Sequence, residues 1–464
     1  MNEGKRLIKN TIIIAIGGIS TKLITFLLLP FYTLYLTTVE YGTYDYICNL
    51  VWCLVPMTTM LMDESMFRFL IDAKTEEDKK EVVSNSLVIQ LLGMILGVFI
   101  CFIIIKLFNN RYSIGVIIYY LACCLPVVIN PILRGQGNFV IYTLYNSAIS
   151  LCVAMFFVIG IFVLEVKVTG LLIANALAHI FVSAIIAMYI GVFRYVSLNK
   201  CNKNKMSEMF FYSLPLIPNR MYLMITAIID RFMIVNFLGI AYVGLFAVAD
   251  KISQIIGAIY GFFATSWQES ASRVVKEVNN TIFYTEIYNV TRLLLSSILI
   301  ALIAYTPLIF KYFISYTFNG SIECIPVLLI SVYYYCLAVF FGGILTAIKD
   351  TKSIGEIALF AMFSNIIIGI LLIKEFGLNG IAISHCVTNY MMFYLRKKNV
   401  RKHFVINTNK DLSMYFILFI VLGCFYQQNF GLKIISCVIS STYLVYVFYK
   451  IGVVKILIRK LWQG

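Results

Sequence analysis

Residues 211–270 read FYSLPLIPNRMYLMITAIIDRFMIVNFLGIAYVGLFAVADKISQIIGAIYGFFATSWQES. Two apolar runs flank a short link at Leu238–Tyr242, yet they carry Arg220, Asp230, Arg231, Asp250 and Lys251. On insertion scales each such charge costs about 2.5–3.5 kcal/mol at a helix centre. A membrane helix keeps a charge where it faces protein, water or a ligand. The stretch therefore predicts the wall of a polar cavity inside a membrane protein.

The whole chain has the composition this requires. Of 464 residues 61% are hydrophobic and 13% charged, with a mean hydropathy of +0.90. A soluble domain is about 45–50% apolar and about 25% charged. The short alternating segments of a membrane barrel are absent, so the class is an all-α polytopic membrane protein. The net charge of +15 reads as basic cytoplasmic loops, and no nucleic-acid partner is expected. The 12 cysteines sit mostly in apolar runs without metal-ligand spacing; they read as small buried hydrophobes, with no metal site. The first apolar run is too long for a cleavable signal, and none is expected.

A span needs about 20 apolar residues, and the chain offers about 14. They lie near 11–36, 44–70, 82–105, 113–133, 139–164, 168–193, 210–237, 241–268, 288–316, 322–347, 353–373, 377–395, 412–428 and 432–454. With the N-terminus in the cytoplasm, roughly 27 Lys and Arg fall inside against roughly 6 outside, so N-in and C-in is predicted. The predicted outer loops are short, which leaves no room there for a catalytic domain.

Three matches in order indicate an internal repeat: Gly42 with Gly244, Ile132 with Ile344, and Gly170 with Gly380. They define an N-terminal six-helix lobe at 1–200, a C-terminal six-helix lobe at 206–402, and two additional helices at 410–460. Six is even, so the halves form a parallel repeat about the membrane normal. All eight prolines lie in or at the ends of spans; they read as ordinary kinks, or, at Pro30, Pro215 and Pro218, as bends between two states.

The polar residues inside the spans are the candidate site. Arg220 and Arg231, eleven residues apart, share a helix face, with Asp230 beside them turned toward another helix. On the next span Lys251 and Gln254 share a face, with Asp250 adjacent. Lys22 lies within the first span. On the second, Asp63 precedes Glu64 and Arg68, which stand in the favoured i, i+4 order and are expected to neutralise each other. Two readings are open for the set: ion pairs that lock helices together, or a cationic cavity for an anionic headgroup. Lys22, Arg220 and Lys251 have no acid at helical pairing distance on their own spans, which favours the cavity, with Lys22, Arg220, Arg231 and Lys251 as the expected headgroup contacts. Arginine suits phosphate through its planar fork, and lysine adds a point charge. On spans six and twelve Asn175/His179 and His385/Asn389 stack at i, i+4 in swapped order, as packing hydrogen bonds or as a proton relay. There is no P-loop.

The segments LPFYTLYLTTVEYGTYDY (29–46), MDESMFRFLIDAKTEEDKKEVVSNS (62–86) and YSLPLIPNRMYLMITAIIDRFMIVNFLGIAYVGLFAVADK (212–251) resemble the Wzx-type polysaccharide-unit flippases of the multidrug/oligosaccharidyl-lipid/polysaccharide exporter superfamily. The resemblance covers nearly the whole chain. It implies two six-helix lobes around a central cavity and the flipping of an undecaprenyl-pyrophosphate-linked oligosaccharide across the bacterial cytoplasmic membrane by alternating access, for O-antigen, capsule or a related polymer. It places Asp63 and Arg68 in a span-two motif and Asp230 and Arg231 in a span-seven motif; Lys22, Arg220 and Lys251 rest on the cavity argument. Arg134 matches an arginine at the fourth inner turn, with Ala347 followed by Lys349 as its second-half equivalent. Membrane lipid, and glycosyltransferases and a polymerase of the same pathway, are the implied partners. No cofactor is expected, and the coupling ion, H+ or Na+, is open. The rivals are a multidrug/cation antiporter of the same fold, which would favour an uncompensated acid in the cavity, a peptidoglycan-precursor flippase, and a membrane polymerase, which would need a large outer loop.

Overall fold

The computed structural model describes residues 17–18, 20–107, 112–164, 167–275, 280–407, 412–427 and 429–452. Among the described residues there is no strand. Residues 20–27 are helical and lead into α1 (Leu29–Tyr35), α2 (Thr38–Thr58), α3 (Met62–Asp72), α4 (Glu76–Leu107), α5 (Ser113–Gly135), α6 (Phe139–Leu164), α7 (Val168–Ile190) and α8 (Lys203–Ser213). Then come α9 (Ile217–Phe237), α10 (Ile240–Val274), α11 (Asn280–Phe313), α12 (Ile325–Ala347), α13 (Thr351–Phe376), α14 (Leu378–Val400), α15 (Leu412–Tyr426) and α16 (Phe430–Lys450). A lipid-spanning chain takes this form because every backbone N–H and C=O must be satisfied within its own segment.

Among the described residues nine helices are long and apolar enough to cross a membrane, or ten if α2 and α3, bent by 48°, form one span. The four other predicted spans depart for identifiable reasons. The first lies partly outside the described residues. The seventh, α9, carries Arg220, Asp230 and Arg231. The twelfth, α14, is interrupted by Asn379, His385 and Asn389. The thirteenth, α15, has 15 residues.

Helix starts follow local chemistry. Thr37 caps α2 in a capping box, accepting from the Glu40 N–H while the Glu40 side chain accepts from the Thr37 N–H. Thr75 and Asp78 exchange the same two bonds ahead of α4.

The repeat is visible helix by helix. α5 and α12 both have 23 residues, and 212 positions separate their starts and their ends. The same shift relates α6 to α13, 26 residues each, and a shift of 210 relates α7 to α14, 23 residues each. The pair α2–α3 spans 38–72, and 202 positions on, α10 spans 240–274 as one continuous helix. The turns after α5 and α12 share one hydrogen-bond pattern, with Asn138 N–H donating to Leu133 O and Asp350 N–H to Leu345 O, and Gly137 and Lys349 are both left-handed. This register makes Thr346 the counterpart of Arg134, correcting the assignment to Ala347, which lies one position further on.

The chain divides into two compact units, Met1–Phe232 and Met233–Gly464. In the first unit α5 packs on α3, α4 and α7, and α8 on α3, with Ser65 Oγ donating to Met209 O at 2.9 Å. In the second, α12 packs between α10 and α14, and α15 and α16 pack on α11.

Candidate functional site

The helices with unusual charges are α9 and the bent pair α2–α3 in the first unit and, within the second, α10. Arg231 is 4% exposed and Asp230 2% exposed. The Arg231 Nε donates to Asp45 Oδ2 at 3.1 Å, a buried ion pair between α9 and α2. Asp45 also accepts from Asn49 Nδ2 at 3.1 Å. The helices meet through Cys53 and Met224, backed by Ile217, Ile225 and Ile228. Breaking such a pair leaves an uncompensated buried charge, at about 3–5 kcal/mol. Sequence reading singled out Arg231 but missed Asp45. The signal was the same one, an acid inside an apolar run.

The other expected residues are distributed as follows. Lys22 is exposed in the helical run 20–27. Arg220 lies in the first turns of α9, and its side chain falls outside the described part. Lys251 and Asp250 are half-buried on α10, and the exposed Gln254 donates from Nε2 to Asp250 Oδ1 at 3.3 Å. The structure thus brings Arg231 to an acid and sets Gln254 on Asp250.

On α3 the expected Glu64–Arg68 pair is not formed. Arg68 reaches forward to Asp72 at 2.7 Å, while Glu64 faces Arg134 of α5 at 3.9 Å. Arg134 also stacks over the Phe67 ring at 3.9 Å, and this contact from a neighbouring helix takes Glu64 out of the pair that helix spacing alone suggested. Asp63 is half-buried in the first turn, where Asp63 and Glu64 together favour the positive end of the helix dipole.

The bend that presents this motif has a local origin. Pro56 cannot donate to the helical ladder. Leu61 N–H bonds back to Pro56 O at 3.2 Å, and Met60 and Leu61 take left-handed conformations, φ 52 and 50°. Non-glycine residues there store of order 1–3 kcal/mol of strain each. The hydroxyls of Thr58 and Thr59 donate to Leu54 O and Val55 O, and Thr58 Oγ1 shares a 2.7 Å hydrogen bond with Tyr120 OH. A Cβ on Gly93 of α4 would stand 1.9 Å from Thr58 O, so only glycine admits this crossing.

Of the histidine–asparagine pairs, Asn175 Nδ2 donates to Tyr44 OH at 2.5 Å and Asn389 Nδ2 to Ser331 Oγ at 2.9 Å. Both asparagines therefore tie helices together. His179 is half-buried, and among the described residues its Nδ1 has no hydrogen-bond partner. Among the described residues no group of three His, Cys, Asp or Glu forms a metal cage.

Apolar helices in two repeated sets, with charged residues buried among them, define a multi-pass membrane protein. Among solved structures, the lipid II flippase MurJ in an inward closed conformation superposes with a TM-score of 0.75 at 17% identity, covering 96% of this chain and 100% of that one. A multidrug resistance MATE family transporter of the MOP superfamily matches in its inward-facing conformation with a TM-score of 0.67 at 16% identity, covering 84% and 98%, and in its outward-facing conformation with 0.58 at 16% identity, covering 86% and 96%. These likenesses establish the fold. The family follows from the sequence itself: the family model described as polysaccharide biosynthesis protein matches residues 7–267, and the chain belongs to that family. No curated protein sequence matches it.

Proposed function

We propose that the chain flips an undecaprenyl-pyrophosphate-linked oligosaccharide from the cytoplasmic to the outer leaflet of a bacterial cytoplasmic membrane, by alternating access, for the assembly of a surface polysaccharide. Membership of the polysaccharide biosynthesis family carries this reading. The flippase MurJ, whose structure superposes on this chain, supports a lipid-linked substrate. In this reading Lys22, Arg220 and Lys251 meet the pyrophosphate, the sugars travel in water, and the polyprenyl tail stays in lipid. Arg231 serves with Asp45 to hold α9 on α2. A cationic set suits a diphosphate because each charge-assisted hydrogen bond is roughly twice as strong as a neutral one.

The test is polymer export in cells lacking the native chain, complemented by Lys22→Gln, Arg220→Gln and Lys251→Gln variants that insert normally. Export falls in the combined variant, and normal export there contradicts the cationic-cavity reading. A gain of drug efflux in place of export would favour a cation antiporter instead.

A further inference from the structure

The second unit carries a groove of about 540 Å³ between α13 and α14. Ile357 of α13 is buried at its base and Met391 of α14 is half-buried, while Phe360, Tyr390 and Tyr394 stand exposed along its sides. The Tyr390 ring packs edge-on against Tyr334 of α12 at 5.1 Å, which fixes that wall. The lining is apolar except at one end, where Glu356 stands, the lining residue nearest the start of α13. Glu356 is exposed, and its Oε1 lies 3.9 Å from the Nζ of the exposed Lys352, one turn nearer that start. On α14 the exposed Lys398 stands one turn beyond Tyr394, in line with the groove because residues i and i+4 share a helix face. Further into the two helices the same faces stay apolar, with Phe363, Ile367 and Val387 exposed. Charge and apolar surface thus separate along one groove. The start of α13 and the end of α14 are the predicted cytoplasmic ends, where a bilayer passes from acyl chains to headgroups.

An exposed ion pair at i, i+4 contributes little by itself, so the Lys352–Glu356 pair exchanges partners at small cost. It sets a donor cation beside an acceptor anion, with Lys398 as a second cation on the facing helix. Such a rim is complementary to a zwitterion. The lysine ammonium groups donate to a phosphate, and the carboxylate accepts from a primary ammonium. A headgroup bearing phosphate alone sets its charge against Glu356, and a choline has no N–H to donate to it. Tyrosine at such a boundary keeps its ring among the chains and its hydroxyl in the interface. We propose that the α13–α14 groove binds a phosphatidylethanolamine, with an acyl chain against Ile357, Phe360 and Met391, the phosphate at Lys352 and Lys398, and the amine at Glu356. None of Lys22, Arg220, Arg231 and Lys251 lines the groove, and the proposal does not rest on the transport reading. Sequence reading counted Lys352 and Lys398 only as markers of the cytoplasmic side and passed over Glu356.

The test is thermal unfolding of the purified full chain in maltoside micelles, titrated in parallel with dioleoyl phosphatidylethanolamine, phosphatidylcholine and phosphatidylglycerol. A lipid that binds the folded chain raises its unfolding temperature. Glu356→Gln is the headgroup variant and Phe360→Ala the groove variant. Glu375→Gln, an exposed acid at the far end of α13, is the control. Phosphatidylethanolamine stabilises the native chain and Glu375→Gln more than the other two lipids do. Its apparent affinity falls about tenfold in Glu356→Gln, the loss of one charge-assisted contact, which brings it level with phosphatidylcholine. In Phe360→Ala the affinity for all three lipids falls. Equal stabilisation by the three lipids, none by any of them, or the largest from phosphatidylglycerol overturns the proposal. So does a preference for phosphatidylethanolamine that survives Glu356→Gln, or an affinity that Phe360→Ala leaves unchanged.

Discussion

At the scale of single residues, the pair Asp45–Arg231 is the strongest commitment of the first unit. Both side chains are under a tenth exposed, Asp45 at 8% and Arg231 at 5%. Asp45→Ala and Arg231→Ala are each expected to lower stability by about 3–5 kcal/mol. The double variant should lose much less than the sum, because the stranded partner charge is gone; thermal unfolding of all four proteins in detergent closes the cycle. Lys349 offers a prediction of opposite sign. It holds φ 64°, where its repeat partner Gly137 holds 75°. A left-handed L-residue costs about 1–2 kcal/mol, so Lys349→Gly should stabilise the protein, and Gly137→Ala should destabilise it, by about 1 kcal/mol. The sequence showed that Arg231 sits in an apolar run and therefore needs a partner. It did not show which acid, because Asp45 lies 186 positions away and only tertiary packing brings α2 to α9. The failed Glu64–Arg68 pair has the same cause: spacing within one helix names the neighbours on that helix, and Arg134 comes from another.

At the scale of elements, the repeat contrasts one broken helix with one continuous one. α2 and α3 bend by 48° at Thr59–Leu61, while α10 runs 35 residues without interruption over the matching positions. Pro56 falls on Ala258, which lies inside that continuous helix and keeps the N–H that proline lacks. Pro56→Ala is therefore expected to leave insertion intact while reducing transport, because it allows a straight span two; circular dichroism and an export assay separate the two effects. Gly93→Ala puts a methyl group against Thr58 O and should destabilise the fold by about 1–3 kcal/mol, as overpacking does, measured by thermal unfolding. Helix lengths and their repeat were legible, since apolar runs and turn residues recur at fixed offsets: Gly42 and Gly244 are each the fifth residue of their helices, and Gly170 and Gly380 each the third. The break was not legible. The run 44–70 reads as one apolar span, and the left-handed pair that divides it is Met60–Leu61, where no glycine marks the turn.

At the scale of the whole molecule, composition alone defined a helical membrane protein, and the family model over residues 7–267 ties it to polysaccharide biosynthesis. The cations divide by role. Arg231 is bound into a helix contact, Arg292 and Arg396 are buried within the second unit, and Lys22, Arg220 and Lys251 remain the proposed headgroup contacts. Neutralising the last three is expected to reduce transport without changing the unfolding temperature, in contrast to the variants at Asp45 and Arg231. The most direct measurement is flipping of an undecaprenyl-diphosphate-linked oligosaccharide in liposomes containing the purified chain, read by the accessibility of the sugar to a membrane-impermeant reagent. The account predicts flipping that depends on the protein and is lost in the Lys22→Gln, Arg220→Gln, Lys251→Gln combination. Flipping no faster than in protein-free liposomes, or undiminished in that combination, would contradict it.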